Sequence, residues 1–150
     1  MSADDDFERK HKERMEDAER GIKAFSARED SEGIEKARQV LHTVVYPAFA
    51  ECEAEDHHHV YQWRKRLIPG RLPLADGSDV YSDALGAELE LTFRQNRPVK
   101  LTIMYRRPEQ WLEMVFSTGD QAPYSIGFSE TTKAIVQAKV HLLMRLAHGT

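Results

Sequence analysis

At 150 residues, 41% hydrophobic and 31% charged with a net charge of −4, the chain has the length and make-up of one globular domain, not of a disordered segment. Its apolar runs are short and broken by charge, which excludes a bilayer-spanning helix, and the acidic start Met1-Ser-Ala-Asp-Asp-Asp lacks the apolar stretch of a secretory signal. One cysteine, Cys52, excludes an internal disulfide and fits a reducing compartment, so the expected setting is cytoplasmic, with no membrane partner.

Residues 6–29 predict a solvated helix, with Met15, Ala18, Ile22 and Phe25 forming a narrow seam among charges. Two heptads are too few to define a coiled coil, so this arm packs on the domain, pairs with a second copy, or frays. Asp30-Ser31-Glu32-Gly33 reads as a break, with Asp30 or Ser31 as the next N-cap. Ile34, Ala37, Leu41, Val44, Ala48 and Cys52 then share the core-facing stripe of a second helix. Pro47 removes a backbone donor inside it, which predicts a kink or restart near Tyr46, and the helix should stop around Glu55–Asp56.

His59, Tyr61 and Trp63 alternate with Val60, Gln62 and Arg64 as a strand would. Pro69-Gly70, Pro73 and Asp76-Gly77 punctuate what reads as a long connection over 68–86, with room for a short helix near Tyr81–Leu85. Beyond it the pattern is a meander. Apolar Ala87, Leu89, Leu91 and Phe93 lead to Val99, Leu101, Ile103 and Tyr105, then to Leu112, Met114 and Phe116, then to Tyr124, Ile126 and Phe128. A turn at 107–110 sets Arg106 opposite Trp111 and Ile103 opposite Met114. A turn at 95–97 sets Leu91 opposite Leu101, and Phe116 faces Tyr124 across the last turn; every register keeps one apolar face. Ser129 is the expected N-cap of a final helix bearing Ile135, Ala138, Lys139, Leu142, Leu143 and Leu146, with Gly149 as its stop. The predicted fold is therefore α+β: a two-layer sandwich whose antiparallel meander of four to five strands carries N- and C-terminal helices on one face. Residues 1–30 form a solvated arm and 31–150 a single domain.

Three groups of residues bear on function. Cys52, Asp56, His57 and His59 bring a thiol, a carboxylate and imidazoles into one short segment, the ligand types that hold a transition metal. Glu55-x-x-His58 has no second Glu-x-x-His to complete a di-iron site, and no other cofactor is implied. The outward sheet face should show Trp111, Met104 and Val115 as a small apolar patch, ringed by Arg106, Lys100 and Arg94, with Arg106 placed for a cation–π pair with Trp111. Trp63-Arg64-Lys65-Arg66 with Arg71, Arg94, Arg97, Arg106 and Arg107 makes a basic set with aromatics nearby.

The order helix, antiparallel strands, helix resembles the double-stranded RNA-binding domain, which would imply phosphate-gripping lysines where the last helix opens. Here that stretch is Ser129-Glu130-Thr131-Thr132-Lys133, and the overall charge of −4 also counts against nucleic acid. Residues 1–56 carry 16 acids against 9 bases, and residues 57–150 carry 9 against 12, a polarity that the two halves can satisfy in each other. No G-x-S-x-G, Walker loop, G-x-G-x-x-G or H-E-x-x-H occurs. The reading is a non-catalytic interaction module, adaptor-like, chaperone-like or self-associating, that meets a protein partner or its own copy through the open sheet face. The alternatives are a small-ligand or metal site, with or without enzymatic activity, near His57–His59, and an RNA-binding module.

Overall fold

The computed structural model describes residues 3–107 and 109–149, the side chains of residues 3 and 4 excepted. A long helix α1 (Ala3–Val40) passes through a π-helical turn (Leu41–Val45) into α2 (Tyr46–Glu55). Five strands follow, β1 (Tyr61–Pro73), β2 (Asp79–Phe93), β3 (Val99–Arg106), β4 (Trp111–Phe116) and β5 (Tyr124–Gly127). A short 3-10 turn (Phe128–Glu130) leads to α3 (Lys133–Ala147). The strands lie in chain order in one antiparallel sheet, an open meander with helices over one face, as the alternation predicts. No helix among the described residues is long and apolar enough to cross a membrane.

The core is the inner face of this meander. Leu89, Leu91, Leu101, Ile103, Leu112 and Met114 are fully buried beneath Leu41, Val45 and Phe49 from the first helices and Val136, Val140 and Leu143 from α3. Pro47 acts as its chemistry dictates. It supplies no N–H and its ring would crowd the carbonyl four residues back, so the helix widens ahead of it. Tyr46 then donates to Leu41 O, five residues away, and Pro47 sits in the first turn of α2, where a donor is not required.

Several expectations are corrected. The break at Asp30–Gly33 does not occur; α1 runs straight through it. Gly33 is there because the helix comes too close to β3 for a side chain: a Cβ would stand 2.5 Å from the Tyr105 hydroxyl. The 68–86 connection is a β-ribbon instead of a loop. Only Asp76-Gly77 turns the chain, with Gly77 at φ +88° and the Asp76 carboxylate accepting from Ser78 N at 3.0 Å. Pro69 sits at a register shift between Ile68 and Gly70 on the outer edge strand, where a missing donor is tolerated.

The β3–β4 register is the expected one, Arg106 facing Trp111, although Pro108 of that turn lies outside the described residues. The neighbouring registers are each displaced by two: Leu91 faces Val99, and Met114 faces Tyr124. A slip of two keeps every side chain on its face, so the apolar surface survives. The final helix is capped by Thr132, which accepts from Ile135 N, and not by Ser129. Its buried line is Val136, Val140, Leu143 and Ala147, with Ala138 exposed. His59 lies outside β1, at φ 50°.

The Gly33–Tyr105 contact makes a sign-changing prediction. Gly33→Ala should cost about 1–3 kcal/mol through overpacking against the hydroxyl. In a Tyr105→Phe background, where the nearest ring atom is 3.5 Å away, the same change should stabilise by about 0.5–1 kcal/mol through helix propensity. Urea melts of the four proteins check this; equal effects in both backgrounds would contradict it.

Candidate functional site

From Ser26 onward α1 lies on the domain, with Ala27, Ile34 and Ala37 buried. Before that point it projects. Phe7, His11, Met15, Ala18, Ile22 and Phe25 recur every three or four residues and fall in one stripe. At 3.6 residues per turn, this stripe lies roughly 130° around the helix from the core-facing line of Ala27, Ile34 and Ala37. It is therefore a separate face and not an extension of the buried one. Phe7 is 71% exposed, Met15 53%, Ile22 66% and Phe25 58%. The Phe7 ring stacks on His11 at 6.2 Å, so among the described residues its one ring contact is within its own helix.

The outer sheet face divides into two ends. At one end Trp111, 47% exposed, lies diagonal to partly buried Met104, and Glu113 stands between it and Val115 along β4. Met104 is seated over Gly86, whose missing side chain makes the room; a Cβ there would overlap the Met104 sulfur. At the other end charges alternate: Arg66 meets Glu88 at 3.3 Å, and Lys100 lies 3.9 Å from Glu88 and 3.7 Å from Glu90. Lys100 is six residues along β3 from Arg106, about 20 Å of strand, so it does not join the Trp111 patch. Arg94 stands farther still, past the end of β2, with its guanidinium over the Phe93 ring at 4.9 Å. Arg106 is turned to Glu113 at 3.0 Å, which replaces the expected pairing with Trp111. Of the predicted face, Arg106 is opposite Trp111 and Met104 is one pair along from it, Val115 lies beyond Glu113, and Lys100 and Arg94 stand farther away.

The basic set is matched by acids. Arg107 pairs with Asp30 at 3.8 Å, Arg71 with Asp79 at 3.6 Å, Lys65 with Glu53 at 2.5 Å, and Lys133, at the opening of α3, with Glu51 at 2.8 Å. All but Arg71–Asp79, which lies within the second part, join the acidic first part of the chain to the basic remainder, so part of the charge asymmetry is met within the molecule.

The Cys52–His59 segment is the junction between α2 and β1. Asp56 accepts from Val60 N at 2.9 Å, Tyr61 N at 3.0 Å and the Trp63 indole at 2.9 Å. Burial alone would raise its pKa, but these donors, the indole foremost, outweigh that and hold the carboxyl below its ordinary range. Cys52 is buried, and burial followed by the charges of Glu55 and Glu51 pushes its thiol up to about 11, which disfavours the thiolate a metal would need. His57 and His58 are exposed in the turn and, with Cys52, Asp56, His141 and Met144, line a concavity of about 380 Å³. His59 is not among its walls. Among the described residues no three His, Cys, Asp or Glu side chains converge as a metal-binding group.

Two features escaped the sequence reading. Phe7 and His11 belong to the arm stripe, and their spacing from Met15 was the available signal. The Asp83 carboxylate accepts from Arg38 at 2.7 Å and bonds His42 at 3.1 Å, with Arg38 holding it below its ordinary range; no spacing rule joins residues that far apart in the chain.

No protein-family model matches the chain, and no curated protein or solved structure is significantly similar to it.

The Asp56 hydrogen bonds set a test of the junction. Asp56→Ala leaves two amides and an indole without their acceptor and should cost about 1–3 kcal/mol at pH 7. Because the folded carboxyl titrates below its unfolded value near 4, the charged-state part of this contribution is present above about pH 4 and fades as pH falls through the folded value. The gap between wild type and variant in urea melts should narrow at pH 3; a gap of constant size would contradict the assignment.

Proposed function

We propose that the protein is a non-catalytic interaction module whose main contact element is the projecting part of α1, with the Trp111 end of the sheet face as a second contact. The observation that carries this reading is the stripe of Phe7, Met15, Ile22 and Phe25, each more than half exposed. Large apolar side chains aligned on one face are what a helix buries against another surface. A charged helix standing alone in water is only marginally stable, so a partner surface gives it both a cover and a reason to persist. The patch made by Trp111 with Met104 is smaller. It has the aromatic centre and charged rim, here Arg106 and Glu113, that a contact site favours. A reducing cytoplasm suits the single buried cysteine.

The experiment is photo-crosslinking in the producing cell, with a photoreactive residue placed at Met15, Arg20 or Trp111. Arg20 is exposed on the side of α1 away from the stripe. Adducts with protein, either another chain or a second copy, are expected from Met15 and Trp111 and much less from Arg20. Equal yields from Met15 and Arg20, or none from Met15 and Trp111, would contradict the reading. Trp111→Ala should weaken any association made through the sheet by about tenfold or more, while changing stability by no more than about 0.5 kcal/mol.

A further inference from the structure

We infer that the occupant of the α1 stripe is a second copy of this chain, with the two arms laid antiparallel. This rests on the interaction reading above and adds the partner's identity and orientation.

The first ground is the match of the stripe to itself. Laid antiparallel about a centre between residues 16 and 17, His11 lies over the partner's Ile22 and Met15 over the partner's Ala18, while Phe7 and the partner's Phe25 meet one residue out of step at each end. Long side chains meet short ones in the central layers, which fills the space between the helices. A parallel, in-register pair would instead put Ala18 on Ala18 and His11 on His11, leaving a void in one layer and facing imidazoles in another.

The second ground is charge complementarity along the flank of the stripe. Lys12 and Glu19 lie two turns apart on one flank of the stripe, opposite in sign, and both are exposed. In an antiparallel pair this flank meets its own copy. Lys12 then faces the partner's Glu19, and symmetry repeats the contact. A parallel pair brings this flank against the other one, where the matching contact is Arg14 with the partner's Glu19. Arg9–Asp6 at 3.3 Å and Arg20–Asp17 are ion pairs within the helix and take no part in either arrangement.

The third ground is access. The domain holds α1 on the face roughly 130° from the stripe, so a second helix can run the length of residues 7–25 on the open side. That span is about 27 Å of helix, a contact at the small end of stable interfaces, so the dimer should form in the micromolar range.

The test uses the full chain. Sedimentation equilibrium should give a mass rising towards twice 17.3 kDa with concentration, and Ile22→Asp should hold it at 17.3 kDa at every concentration, with the circular dichroism spectrum of the diluted, monomeric wild-type protein. Orientation is read by disulfide trapping. His11→Cys and Ile22→Cys chains should cross-link when mixed and not when each is alone, because like positions lie about 16 Å apart in the antiparallel pair. Buried Cys52, with its raised thiol, does not compete. A charge swap gives an independent reading. Glu19→Lys should weaken association about three- to tenfold, and adding Lys12→Glu should restore it, since the exchanged pairs again attract. A parallel pair would not recover, because Arg14 would still face lysine. Cross-linking of each cysteine variant with itself, or failure of the swap to restore association, overturns the orientation. A protein that stays monomeric at several hundred micromolar overturns the second copy. If that monomer still gives adducts from Met15 with other proteins, the interaction reading stands without it; if it gives none, both fall.

Discussion

One face of the meander is apolar from β2 to β5, and the helices lie where they do because that face must be kept from water. Leu41, Val45 and Phe49 pack with the sheet in one core, and at Gly33 the helix comes so near β3 that a Cβ would stand 2.5 Å from the Tyr105 hydroxyl. This contact also decides what happens to the first part of the chain. A helix broken at residues 30–33 could fold its arm back onto the body. An unbroken one carries its axis onward, and the stripe of Phe7, Met15, Ile22 and Phe25 goes out into solvent with it. The exposed stripe is thus a consequence of how the core is covered, and the same rigidity that exposes it would hold it in a fixed direction for a partner.

The open face of the sheet answers a different requirement. An antiparallel sheet with one solvated side is stabilised there by cross-strand pairs. The Arg66–Glu88–Lys100–Glu90 end does this with charge. The Trp111 end does it with apolar contact, Met104 lying in the space left by Gly86. The first arrangement satisfies itself, and the second leaves an aromatic surface only partly covered. On the proposed reading the sheet's contact surface lies at the Trp111 end, and Lys100 and Arg94, which share only its face, stand away from it.

Much of the fold was legible because it rests on period-two alternation, which survives errors in turn length. The β3–β4 register followed from the turn itself. The β2–β3 and β4–β5 registers did not, and side-chain bonds made elsewhere explain why. Asn96 reaches across to cap Ala147 O at 3.1 Å, and Ser117 bonds Lys100 N at 2.8 Å, so both loops are set by contacts remote in sequence. Gly33 and Pro69 misled for a related reason. Each is a local signal for a break, yet each serves the tertiary structure, one as a point of close approach and the other on an edge strand. The arm stripe was partly visible from Met15 onward, but its exposure was not. Whether a seam is covered depends on the direction of the helix axis, which the core decides. The histidine cluster shows the opposite limit: composition drew attention to Asp56, while its geometry uses that carboxylate to hold the start of β1 and the Trp63 ring.

The central claim is that the arm is an ordered contact element sustained by association. Hydrogen–deuterium exchange of α1 over a range of protein concentrations tests it most directly. A charged helix of this length frays when alone. Amides of residues 8–25 should therefore be protected at high concentration and lose protection on dilution, while those of residues 34–55, held by the core, should not change. An arm that exchanges at the rate of an unfolded chain at every concentration, or one equally protected at every concentration, would contradict the account.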